Sequence, residues 1–345
     1  MDFKSFIGNR KTINVGFLGG SITEGAGSSN NKFCYAEQVC TKLEQIYDGV
    51  EFNCINAGVG GTTSTLGLFR MKRDLLDKNP DIAFIEFAVN DSDLPTTGIY
   101  MENIVRGIKK YRDIPVVIVL TITEAVIKKY GTVKDSPSGQ KHIKLADYYN
   151  LELINIGDGM HDKAMHDGIE FSMLFTDGVH PNDMGHNVYS DIIIEQLKNV
   201  DFKNTDINQK LLFGREFENP GLLMGNTLAN DTWKLSYNNM YGRLPDYIYS
   251  FTPGDELSFE FKGTFLGLYF TIEKDTGSIA YKIDDGEWQE KSLWDRFALQ
   301  FNRAAFDILY EELEDKIHKV TIKNINKKDE KSEGYYIRIG AFTIG

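Results

Sequence analysis

The stretch Ile13-Asn14-Val15-Gly16-Phe17-Leu18-Gly19-Gly20-Ser21-Ile22-Thr23 decides the fold. Its first part is a short apolar run closed by two glycines, the pattern of a buried strand ending in a sharp turn. The serine after the turn suits the start of a helix. A strand, a glycine turn and a helix in that order open an α/β unit.

Working outward, apolar runs recur at 12–18, 51–57, 82–88, 115–121 and 151–156, bounded by Gly, Asn or Pro. Segments with helical spacing lie between them: Tyr35 to Ile46, Thr65 to Leu76, Tyr100 to Tyr111 and His142 to Tyr149. A last amphipathic stretch, His186 to Leu197, repeats Val188, Ile192, Ile193 and Leu197 on one side. Strand–helix alternation predicts a doubly wound, five-stranded parallel sheet covered on both faces.

The texture changes after about residue 200. Alternating runs such as Leu257-Ser258-Phe259-Glu260-Phe261 replace helical periodicity, and Asp285-Gly286 signals a hairpin. This predicts an all-β sandwich. The expected boundaries are residues 1–200 for the α/β domain, 201–225 for a linker and 226–345 for a β accessory domain.

The chain has 345 residues, 41% hydrophobic and 26% charged, with a net charge of −12. An acidic surface repels nucleic acid and anionic lipid, so neither is an expected partner. Cys34, Cys40 and Cys54 are odd in number and lack CxxC spacing, which reads as free thiols. Met1 to Arg10 lacks the charged-then-apolar pattern of a signal peptide, and the expected location is cytoplasmic. No metal or other cofactor is expected. The cluster His161-Asp162 to His166-Asp167 reads as a solvated face, and His142, His186 and His318 as structural or surface residues.

Ligands of an open parallel sheet bind beyond the carboxyl ends of its strands. Four segments fall there: Ser21 after the first strand, Asn56 to Ser64 after the second, Asn90-Asp91 after the third, and Asp177-Gly178-Val179-His180-Pro181 after the fifth. Each alone has a plain structural explanation, as a turn, a loop dipeptide or a capping pair. Together they supply a hydroxyl, a base and an acid, the parts of a Ser-His-Asp nucleophilic site. A dinucleotide site is disfavoured, because G-x-G-x-x-G is absent and the second strand ends in Asn56.

These four blocks resemble the SGNH, or GDSL, hydrolases over roughly residues 12 to 198. The family's four naming positions fall on Ser21, Gly61, Asn90 and His180. Two departures are visible: the acid of Gly-Asp-Ser is missing before Ser21, and Gly-x-Asn-Asp reads Ala88-Val89-Asn90-Asp91. The resemblance implies Ser21 as nucleophile, His180 as base, Asp177 as its orienting acid, and an oxyanion hole from the Ser21 and Gly61 N–H groups and the Asn90 amide. It implies a sheet of flavodoxin-like order. It also implies a serine esterase that removes short acyl groups, chiefly O-acetyl, from a carbohydrate through an acyl-Ser21 intermediate, its partner a small-molecule or oligosaccharide ester. The alternatives are a thioesterase, lysophospholipase or acyltransferase on the same residues, or an inactive glycan-binding protein. The β region also loosely resembles the jelly-roll modules attached to some carbohydrate esterases of this family. Its aromatic residues, including Trp288, Trp294, Tyr281 and Phe301, are expected mostly in the core, while Trp294 and Arg296 are also candidates for sugar binding.

Overall fold

The computed structural model describes residues 1–91 and 96–345. The chain divides into two compact units, Met1–Glu216 and Phe217–Gly345.

The first unit is built on five parallel strands: β1 (Thr12–Gly19), β2 (Glu51–Gly58), β3 (Ile82–Glu86), β4 (Val116–Leu120) and β5 (Glu152–Asn155). Their order across the sheet is β2-β1-β3-β4-β5, the flavodoxin-like arrangement that the family resemblance implies. β3 and β4 are buried along their whole length, whereas β2 alternates between buried and open positions. Continuous apolar runs thus mark the strands covered on both faces.

The helices among the described residues are α1 (Phe3–Ile7), α2 (Ser21–Glu24), α3 (Tyr35–Ile46), α4 (Ser64–Asp74), α5 (Ala88–Asp91), α6 (Thr97–Tyr111), α7 (Glu124–Tyr130), α8 (Pro137–Tyr149), α9 (Ile156–Asp167) and α10 (Asp183–Leu197). Their ends follow local chemistry. Ser136 caps α8 with Pro137 in its first turn, and the Asn182 side chain accepts the Gly185 N–H at the start of α10. Residues 201–216 fold onto this unit, because the buried Glu102 carboxylate accepts the Leu212 and Phe213 N–H groups at 2.6 and 2.8 Å.

The second unit holds β6 (Gly221–Met224), β7 (Lys234–Ser236), β8 (Tyr247–Ser250), β9 (Glu256–Gly263), β10 (Leu266–Ile272), β11 (Ser278–Ile283), β12 (Gln289–Ser292), β13 (Arg303–Tyr310), β14 (Lys316–Ile325) and β15 (Ile337–Ile344). They form a six-stranded sheet, β13-β10-β15-β8-β7 with β6 beside β15, and a four-stranded sheet, β12-β11-β14-β9. Strict alternation in β9 turns Leu257, Phe259 and Phe261 inward, where they share one core with Leu268, Phe270 and Phe342 of the other sheet. The result is the expected antiparallel sandwich. Asp285-Gly286 lies in the connection between β11 and β12, as its hairpin signal implied.

Two aromatic expectations fail here. Trp288 is exposed just after that turn, with the Lys282 and Lys323 ammonium groups 5.3 and 5.2 Å from its ring. Phe301 is exposed in the connection between β12 and β13. Both lie between strands, where the inward alternation that buries an aromatic no longer operates.

Candidate active site

Ser21 opens α2 directly beyond β1. The glycine before it is a requirement of space, since a Cβ at position 20 would lie 2.4 Å from Asn90 Oδ1. Asn90, carried by α5 beyond β3, therefore packs its side chain on the residue preceding Ser21.

His180 arrives on the turn between α9 and α10. Its Nε2 stands 2.9 Å from Ser21 Oγ, and its Nδ1 stands 2.7 Å from Asp177 Oδ2. The other Asp177 oxygen accepts the Val179 and His180 backbone N–H groups at 3.0 and 2.8 Å. Asp177 is thus bonded along its own turn and held in place by three donors. With Nδ1–H donated to the carboxylate, Nε2 turns its lone pair to the Ser21 hydroxyl. Partial burial raises the Asp177 pKa, but the His180 and Val179 hydrogen bonds outweigh it and leave the carboxyl below its ordinary value. The acid of this line is therefore ionised at neutral pH.

Gly61 lies in the loop between β2 and α4 with a φ of +70°, a backbone conformation that glycine adopts without strain. That loop is tied to the serine turn from several sides. Glu24 Oε2 accepts the Gly60 N–H at 2.8 Å, and Asn56 Nδ2 donates to the Thr23 carbonyl at 2.8 Å. Asp91, fully buried, accepts the Ser64 N–H at 2.8 Å and so joins the loop to the segment bearing Asn90.

One contributor was not read from the sequence. Arg70 of α4 is completely buried and donates to the Ala57 and Gly19 carbonyls at 2.6 and 2.8 Å, clamping the carboxyl ends of β2 and β1. Asp74 stands 3.2 Å from the same guanidinium. A charged residue on a helix ordinarily reads as surface. Its i, i+4 partner Asp74 was the available signal.

In the second unit, Trp294 is only 8% exposed and belongs to the sandwich core. It fills the core, as expected of an aromatic residue in this domain. Together with Asp295, Arg296, Phe297 and Asp329 to Lys331 it borders a cleft of about 560 Å³. The Arg296 guanidinium lies 5.2 Å from the centre of the exposed Phe297 ring.

Among the described residues no group of three or more His, Cys, Asp or Glu is arranged to hold a metal ion, and no helix is long and apolar enough to cross a membrane. His166 pairs with Asp167 at 2.8 Å, and His161 packs edge-on against Phe171. The three cysteines are free.

A parallel sheet in this strand order, with a hydroxyl, an imidazole and a carboxylate in line beyond its carboxyl edge, defines an ester hydrolase. The chain belongs to the GDSL-like Lipase/Acylhydrolase family, which matches residues 17–188. In fold it is similar along nearly its whole length to a two-domain esterase active on acetylated mannans, with a TM-score of 0.82 and 21% identity over 97% of this chain and 91% of that one. The same esterase co-crystallised with mannopentaose gives a TM-score of 0.80 and 21% identity over 96% and 90%. No curated protein matches the chain by sequence.

Proposed function

We propose that this protein is a serine esterase that removes short acyl groups, chiefly O-acetyl, from a carbohydrate through an acyl-Ser21 intermediate. The observation that carries the reading is the unbroken line from Ser21 Oγ to His180 Nε2 and from His180 Nδ1 to Asp177.

A serine hydroxyl is a poor nucleophile until a base accepts its proton. His180 takes that proton as Ser21 Oγ attacks the ester carbonyl, and Asp177 stabilises the imidazolium that forms. The oxyanion falls to the Ser21 and Gly61 N–H groups and the Asn90 amide, donors fixed before the reaction begins. Collapse of the intermediate returns the proton to the departing sugar hydroxyl. Water, activated by the same histidine, then releases the acid and frees Ser21.

The carbohydrate assignment is supported by the likeness to the esterase active on acetylated mannans and by the cleft beside Arg296 and Phe297, whose guanidinium and exposed ring suit a sugar. Its test compares p-nitrophenyl acetate with butyrate and octanoate, then follows acetylated manno- and xylo-oligosaccharides by mass spectrometry. Preference for acetate and loss of acetyl groups from an oligosaccharide are expected. Preference for long chains would sink the deacetylase reading. A fluorophosphonate probe should label Ser21 alone, and labelling elsewhere would overturn the nucleophile.

A further inference from the structure

Glu86 ends β3 and pairs in register with Gly19, two residues before Ser21. It is 1% exposed, on a strand whose other residues (Ile82, Ala83, Phe84 and Ile85) are all apolar. An ionised carboxyl at such depth costs several kcal/mol unless hydrogen bonds replace its lost water. Apolar packing alone would favour a β-branched side chain here.

The carboxylate has three donors around it. Thr23 Oγ1 donates to Oε2 at 2.9 Å, Thr121 Oγ1 donates to Oε1 at 2.6 Å, and the Gly20 N–H donates as well. Two of these donors, Gly20 and Thr23, flank Ser21 on its own turn. Thr23 is also bonded through its hydroxyl to Tyr35 at 2.9 Å, and its carbonyl accepts from Asn56 and from Cys34 Sγ at 3.2 Å. The buried network thus meets the serine turn at Gly20 and Thr23, on either side of Ser21.

We propose that Glu86 is a positioning residue for the nucleophile, gripping the turn at Gly20 and Thr23 and so setting Ser21 Oγ against His180. It acts through the backbone of the turn and touches neither substrate nor the reacting atoms. The assignment rests on the reading of Ser21 as nucleophile.

The test is Glu86→Gln, which keeps the shape but replaces one acceptor oxygen with an NH₂ group facing donors. Misplacing a reacting group by about 1 Å is enough to cost about 10²-fold in rate. In Glu86→Gln that remains folded by circular dichroism, kcat on p-nitrophenyl acetate should fall by about that factor. KM should change little, and fluorophosphonate labelling of Ser21 should slow in parallel. Thr23 provides a second route should Glu86→Gln fail to fold. Thr23→Val removes the hydroxyl and should lower kcat in the same way, whereas Thr23→Ser keeps it and should restore activity. A folded Glu86→Gln with wild-type kcat and labelling rate would overturn the proposal. So would a Thr23→Ser variant as impaired as Thr23→Val. If the unmodified protein neither cleaves an ester nor labels at Ser21, the esterase reading itself fails, and this proposal fails with it.

Discussion

Asn90 lies directly against Gly20, so closely that a Cβ at position 20 would come within 2.4 Å of its side-chain oxygen. The glycine before the serine therefore serves the neighbouring loop. Its missing side chain admits the Asn90 amide to the side of the nucleophile turn, which makes the segments after β1 and β3 one packed unit.

This contact predicts the behaviour of Gly20→Ala. The Gly20 φ of −88° suits alanine, so the backbone tolerates the change. The atom in the way is the end of a side chain, which swings aside. Displacing the Asn90 amide should lower kcat on p-nitrophenyl acetate by about 10²–10³-fold, the usual loss for one oxyanion donor. Gly20→Ala combined with Asn90→Ala should then be no worse than Asn90→Ala alone. Additive losses would mean that Gly20 acts by another route.

The parts of the site legible in the sequence were those with local signals. Ser21 follows a glycine pair, Asp177 and His180 share one turn, and Asn90 follows an apolar strand. Glu86 and Arg70 were not legible, because their partners lie far along the chain: Thr121 for Glu86, and the Ala57 and Gly19 carbonyls for Arg70. A charge inside an apolar run, as in Phe84-Ile85-Glu86-Phe87, says that something must satisfy it but not what. In the sandwich, alternation placed Phe259 and Phe261 correctly, whereas Trp288 and Phe301 lie in connections where alternation gives no information.

Arg70 predicts a stability effect. Arg70→Met would leave the Ala57 and Gly19 carbonyls without that donor and would strip Asp74 of its buried partner. Asp74 keeps its ion pair with Arg73, so the cost is that of the two buried carbonyls losing this donor, about 1–3 kcal/mol each, seen as a lower urea midpoint with an unchanged slope. Arg70→Lys should recover only part of this, since one ammonium cannot reproduce the guanidinium fork. A midpoint unchanged in Arg70→Met would show that the clamp contributes nothing to stability.

His186 predicts a pH dependence. Burial holds its pKa down at about 4, against an ordinary 6.5. The ring packs neutral, with Nε2 3.1 Å from the Ala26 carbonyl and Nδ1 accepting the Tyr35 N–H at 3.3 Å. Because the folded pKa lies below the unfolded one, the unfolded chain takes up the proton first. Stability is therefore complete above pH 6.5 and is lost as pH falls toward 4, by about 3 kcal/mol at the lower end. Urea unfolding of His186→Gln across that window should be flatter than that of the unmodified protein. Equal slopes for both would assign the acid sensitivity to other groups.

Trp294 and Arg296 are neighbours in sequence but call for opposite expectations. Trp294 is a core residue of the sandwich, so Trp294→Ala should destabilise the protein by about 3–5 kcal/mol through the cavity it leaves. Any loss of activity should then be equal on p-nitrophenyl acetate and on an acetylated oligosaccharide, and should track the unfolded fraction. Arg296 lines the cleft outside that core, beside the exposed Phe297. If a sugar lies in the cleft, Arg296→Ala should leave the melting temperature unchanged, raise KM for the oligosaccharide ester and spare the small aryl acetate. Unchanged kinetics on both substrates would remove the cleft from substrate binding and leave the second unit without a part in recognising the sugar.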